Sequence, residues 1–332
     1  MERSLAQPQV GYCLILRERR GFKLLTVAGI PITVDLSWFV IFFLVAWSAG
    51  DLFRLWLPQA SMPLVLGLGG VAAVLLFTSV LLHELAHSLV ALMKGLKVEG
   101  ITLFIFGGVS QMAREPDTPT DEVQIAVAGP ALSFALAGLC LAAYLGSLSL
   151  EVELVSALFL YLCLVNLALG TFNLVPAFPL DGGRVLRAWL WNESRSFTRA
   201  TMAAARVGKI LAITLMAVGL LLAISTATIS GLWWVLIGMF LHRAAGSSGE
   251  HARVKESLSG ITVAHVMRRT AGLVRDTPAP LGENLVAPGE EAMAVLERML
   301  RSDLTQLPVL QDGVLVGMVS RRDILIAARK SL

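Results

Sequence analysis

Apolar residues run along the chain in long blocks, separated by short stretches rich in Pro, Gly and charge. A helix needs about 20 apolar residues to cross the hydrocarbon layer. Six blocks meet or approach that length: Ile32–Gly50, Pro63–Met93, Val123–Gly146, Val152–Leu169, Ala203–Ile224 and Ile229–Leu241, the last being the shortest. Residues 1–30 read as a polar, basic arm, and Trp38 and Trp47 as interface anchors of the first span.

Two intervals depart from the helical period. Val98–Met112 (VEGITLFIFGGVSQM) is β-branched and aromatic around Gly107–Gly108, which predicts a β-hairpin dipping into the membrane face. Asn173–Arg184 contains Pro176, Pro179, Gly182 and Gly183, so continuous helix is excluded there. From Gly246 the chain turns polar, and 246–261 reads as a linker. Residues 262–332 then suit a small soluble α/β domain. Its expected elements are a helix over Glu290–Arg301, strands Gln306–Leu310 and Val314–Val319 turning at Gln311-Asp312-Gly313, and a helix over Ser320–Lys330. The expected fold class is therefore a polytopic α-helical membrane protein, with about six spans in 31–245, plus that α/β domain.

Composition agrees. Of 332 residues, 56% are hydrophobic and 15% charged, against about 25% charged in soluble domains. A net charge of +3 calls for no nucleic-acid partner. The basic residues act as topology signals instead: Arg3, Arg17, Arg19, Arg20 and Lys23 precede the first span, and Lys94, Lys97 and Arg114 follow the second. Arg184, Arg187, Arg195, Arg199, Arg206 and Lys209 follow the fourth, while the alternate loops hold Arg54 alone. With six spans this bias places both termini in the cytoplasm of a multi-pass cell-membrane protein. The N-terminus lacks the apolar core of a signal peptide. Cys13, Cys140 and Cys163 are odd in number and not spaced for metal, so no disulfide framework is expected.

Chemistry concentrates in Leu81–Lys94, LLHELAHSLVALMK. On a helix His83 and His87 lie one turn apart on one face, and Glu84 can reach a water on a metal they share. Polar groups at that depth are costly unless bound or paired. Counting back from Lys94 sets the histidines roughly 10–16 Å below the cytoplasmic edge. Catalytic zinc commonly takes three protein ligands and keeps one position for water. The other histidines, His242, His251 and His265, lie at or beyond the last span, which favours a carboxylate as the third ligand. Asp181 in NLVPAFPLDGGR fits, although the residues alone leave it open between a ligand and a loop aspartate at the surface.

HELAH in one span, GGV after it, AVAGP in the next and FNLVPAFPLDGGRVLRA after the fourth resemble the site-2 protease family of intramembrane zinc metalloproteases, in order from about Gly29 to Leu241. The resemblance implies Zn²⁺ held by His83, His87 and Asp181, with Glu84 as catalytic base. It also implies that Asn173 helps hold substrate or stabilise the oxyanion, the alternative being a helix C-cap. Asn166 reads as an interhelical hydrogen-bonding residue. Peptide hydrolysis needs an extended substrate, a transmembrane segment of another protein, and a strand edge at Ile105, Gly107 and Gly108 could hold it by β-augmentation. The alternative there is a membrane-anchoring hairpin. A membrane metal transporter or sensor with the same ligands is the rival reading of the whole.

The C-terminal block VAPGEEAMAVLERMLRSDLTQLPVLQDGVLVGMVSRRDIL resembles one CBS repeat, with Gly317, Ser320 and Asp323 in its closing motif. Such repeats work in pairs and often bind adenine nucleotides such as ATP or AMP, with the serine and aspartate near ribose and phosphates. One repeat alone implies a homodimer through this domain. Whether it binds nucleotide or only dimerises is left open.

Overall fold

A computed structural model describes residues 21–226, 230–269, 285–312 and 314–330. Contacts divide the chain into two units, 18–246 and a second that includes 247–332.

The larger unit begins with strands where the sequence suggested an arm and the start of a helix. Strand β1 (Gly21–Val27) pairs antiparallel with β2 (Ile30–Asp35), and helix α1 (Ser37–Trp56) starts only after Asp35 accepts from the Ser37 backbone N–H at 2.9 Å. The expected span from Ile32 is corrected for a visible reason. Ile30, Ile32 and Val34 are buried and alternate with half-buried residues, the period of a strand. Residues 1–20 of the expected arm lie outside the described residues.

Helix α2 (Met62–Met93) returns from α1, and the hairpin follows as β3 (Val98–Phe104) and β4 (Gly107–Met112). The sheet order is β1-β2-β3-β4, with β2 and β3 parallel although α1 and α2 lie between them. That pair of helices therefore leaves the sheet and comes back to it. Ile30, Ile32, Val98 and Ile101 of the sheet pack with Ala91 of α2 and with Ile125, which anchors the sheet beside the histidine-bearing turns.

The next helices are α3 (Pro119–Ser149), α4 (Glu153–Asn173), α5 (Asp181–Ser194), α6 (Phe197–Thr226) and α7 (Ser230–Ser257). Among the described residues, five helices, α1 to α4 and α6, are long and apolar enough to cross a membrane. Only 17–33% of each apolar window is buried, so most of that surface faces lipid. The chain is a multi-pass membrane protein. The sixth expected segment is the first half of α7, whose apolar run ends at His242; Ile229 lies outside the described residues. Where a linker was expected from 246, α7 continues to Ser257. Its Ala252 is buried, and Leu258 just beyond it enters the core of the second unit.

That second unit holds α8 (Val263–Val266), β5 (Arg268–Arg269), α9 (Ala292–Arg301), β6 (Gln306–Gln311), β7 (Val314–Ser320) and α10 (Arg321–Lys330). The sheet order is β5-β7-β6. Its core includes Val263, Leu296, Met299, Leu307, Val309, Val319 and Ile324. Gly313 of the expected turn lies outside the described residues, whereas Asp312 beside it has a φ of 51°.

Candidate metal centre

Helix α2 presents His83 and His87 one turn apart, both buried, and α5 opens on the buried Asp181. The Nε2 atoms of the two rings are 3.2 Å apart. Asp181 Oδ2 lies 3.2 Å from His83 Nε2 and 3.1 Å from His87 Nε2. Among the described residues, these three form the group that could hold a metal ion.

The outer ring nitrogens decide what the inner ones can be. His87 Nδ1 lies 2.6 Å from the Ile125 carbonyl oxygen, which only accepts. Nδ1 therefore donates, and in the neutral ring Nε2 is a bare lone pair. His83 Nδ1 lies 2.9 Å from the fully buried Ser133 Oγ, which can also accept. With Nδ1 donating in both neutral rings, two lone pairs and a carboxylate oxygen face one another, an arrangement that a bound cation relieves. A tetrahedral ion with bonds of about 2.0–2.1 Å needs donors about 3.3 Å apart, close to the separations seen. The residues fit zinc.

Glycines make the space. A Cβ on Gly129 would fall on His87 Nε2 and within 2.6 Å of His83 Nε2. A Cβ on Gly108 of β4 would lie 2.5 Å from Glu84 Cγ, so the strand rests directly on the half-buried glutamate. Ser110 and Ser88 fasten the same strand to α2, with their hydroxyls 2.8 Å apart. β4 is an outer strand of its sheet. Ile105 instead lies in the turn before it, and its N–H donates to Ser37 Oγ at 3.3 Å. Gly107, with a φ of 126°, opens β4. Asn173 ends α4 and donates to the Leu169 carbonyl at 3.0 Å. Asn166 donates across to Ser79 Oγ of α2 at 3.2 Å, the interhelical bond its sequence suggested.

Asp181 is held by the helix it begins. The chain breaks between α4 and α5, and α5 then packs so tightly that a Cβ on Gly182 or Gly183 would strike the Leu174–Phe178 backbone. Six residues beyond Asp181, the buried Arg187 pairs with the fully buried Glu122 of α3, its Nε donating at 2.7 Å. Its guanidinium also lies over the rings of Phe178 and Phe197, 4.9 and 4.6 Å from their centroids. Reading Arg187 as a topology charge missed this pair, because nothing local links residues 65 apart. Gly129 and Ser133 were missed too, although a glycine inside an apolar helix is itself a signal.

In the second unit Ser320 Oγ donates to Asp323 Oδ2 at 2.5 Å, and Arg268 Nε and Nη2 donate to Asp323 Oδ1 at 3.0 and 2.9 Å. Burial raises the Asp323 carboxyl, but the bonds from Ser320 and Arg268 outweigh it and hold it below the usual carboxylate range.

Apolar helices thus enclose two histidines and a carboxylate that could hold a metal ion, with a glutamate next to one histidine, the residue set of a metallopeptidase. The chain belongs to peptidase family M50, whose model matches residues 71–149 and 148–215; a CBS domain matches 284–330. A Synechocystis protein named as a zinc metalloprotease is 42% identical over 238 residues, 70% of this chain and 61% of that one. One from Mycobacterium tuberculosis, also so named, is 38% identical over 257 residues, 75% and 64% of the two chains. A third from Methanocaldococcus jannaschii is 34% identical over 250 residues, 75% and 66%. The chain thus spans 61–66% of the length of these relatives. A solved structure, the Site-2 Protease from Methanocaldococcus jannaschii, is 32% identical, with 69% of this chain and 95% of that chain covered and a TM-score of 0.48.

Proposed function

We propose that this protein is an intramembrane zinc endopeptidase that cuts transmembrane segments of other proteins, with both termini in the cytoplasm. The observation that carries the reading is the set of three facing acceptor atoms on His83, His87 and Asp181, sealed within the apolar unit. These residues would hold the ion. Zinc, when bound there, supplies a Lewis acid that acidifies water and polarises a carbonyl. Glu84 removes the proton from the attacking water and returns it to the leaving nitrogen as the C–N bond breaks.

A helical substrate hides its carbonyls, so it must unwind. The outer edge of β4 can pair with the extended segment, and Gly108 lets that strand lie against Glu84. Ile105, in the turn, shapes the hairpin end and contributes no edge of its own. Asn173 keeps a second amide N–H to meet substrate or oxyanion while the first holds Leu169.

The CBS domain would regulate the enzyme as a homodimer, and ATP or AMP near Ser320 and Asp323 would have to displace Arg268. If Asp323→Ala changes neither nucleotide binding nor activity with ATP present, the sensing role is dropped.

A transporter or sensor needs ligands but no general base. Glu84→Gln should abolish cleavage of a single-span substrate in liposomes while zinc is retained. Undiminished cleavage by that variant would return the function to metal handling.

A further inference from the structure

Three groups at 125, 129 and 133 lie one turn apart on α3, facing His87 and His83 in antiparallel register. Ile125 offers a carbonyl, Gly129 an absence of side chain, and Ser133 a hydroxyl. His87 is thereby held by backbone, which no substitution can remove. His83 is held by a side chain, which substitution can.

We propose that Ser133 is a positioning residue for the metal centre: by accepting from His83 Nδ1 it fixes the tautomer and ring angle that turn His83 Nε2 toward the ion. The inference rests on the zinc reading above. Its physical basis is the 2.9 Å contact between His83 Nδ1 and the hydroxyl of Ser133, which is fully buried. Losing the acceptor frees the ring to swing or to carry its proton on Nε2, where it cannot ligate.

The test uses the full chain in detergent, with zinc affinity measured by chelator competition and Co²⁺ loading followed through its visible spectrum. Ser133→Ala should bind zinc about 10–100-fold more weakly, with an altered Co²⁺ spectrum and activity partly restored by excess zinc. Ser133→Thr, which keeps the hydroxyl, should restore affinity. Unchanged affinity and spectrum in Ser133→Ala would overturn the proposal. So would a loss of affinity accompanied by equal destabilisation of the metal-free chain and not repaired by threonine, since that is the mark of packing alone. His87→Ala, run in parallel, separates the two claims: if it too leaves zinc bound, the zinc reading itself has failed.

Discussion

Asp181 and Asp323 each meet polar partners, and their surroundings are built in opposite ways. At Asp181 the two near ring nitrogens are acceptors when the neutral histidines donate their outer N–H groups to Ile125 and Ser133. At Asp323 every near partner is a donor, from Ser320 and Arg268. The first place suits a bound cation; the second has its cation already, as the side chain of Arg268. A ligand site is thus marked less by its residue types than by which of them are left facing like against like.

Changes to the first place should be large, and changes to the second small. Gly129→Ala puts a methyl onto the ligand nitrogens, so zinc content and cleavage should both vanish while the helices persist by circular dichroism. Gly108→Ala pushes Glu84 aside without touching the ligands. It should keep zinc yet lose cleavage by about 100-fold, the usual cost of a displacement near 1 Å. Glu122→Ala leaves the buried Arg187 only its 3.4 Å contact to the partly exposed Glu115 and should cost about 3 kcal/mol by unfolding in detergent, with Asp181 released as α5 loosens.

Arg268→Ala is the mildest. Asp323 has a folded pKa below its unfolded value of about 3.9. Its bonds therefore add stability above that pH, and the gain is lost as pH falls through the folded pKa. Because Arg268 is 72% exposed on its side chain, removing it should cost less than about 1 kcal/mol. Hydrogen exchange of β7 in the full chain at pH 7 and at pH 3.5 reads this directly: the variant should lose protection at pH 7, and the difference should shrink in acid.

How much of this could be read from residues follows the same division. His83, Glu84 and His87 stand out because an apolar helix has no other use for them, and Asp181 because prolines and glycines surround it. The strands at 21–35 did not, since Ile32–Val34 run straight into an apolar helix and their two-residue period is swallowed by it. Helix α5 hid behind the very glycines that let its first turn pack. Ser133 and the Glu122–Arg187 pair act between helices, and separations of 50 or 65 residues leave no mark in sequence.

The most direct test of the central claim is the metal content of the purified full chain, measured by mass spectrometry for wild type, Glu84→Gln and His87→Ala. The account predicts about one zinc per chain in the first two and almost none in the third. A wild type that binds no zinc from a zinc-replete buffer, or a His87→Ala chain that keeps it, would contradict the account.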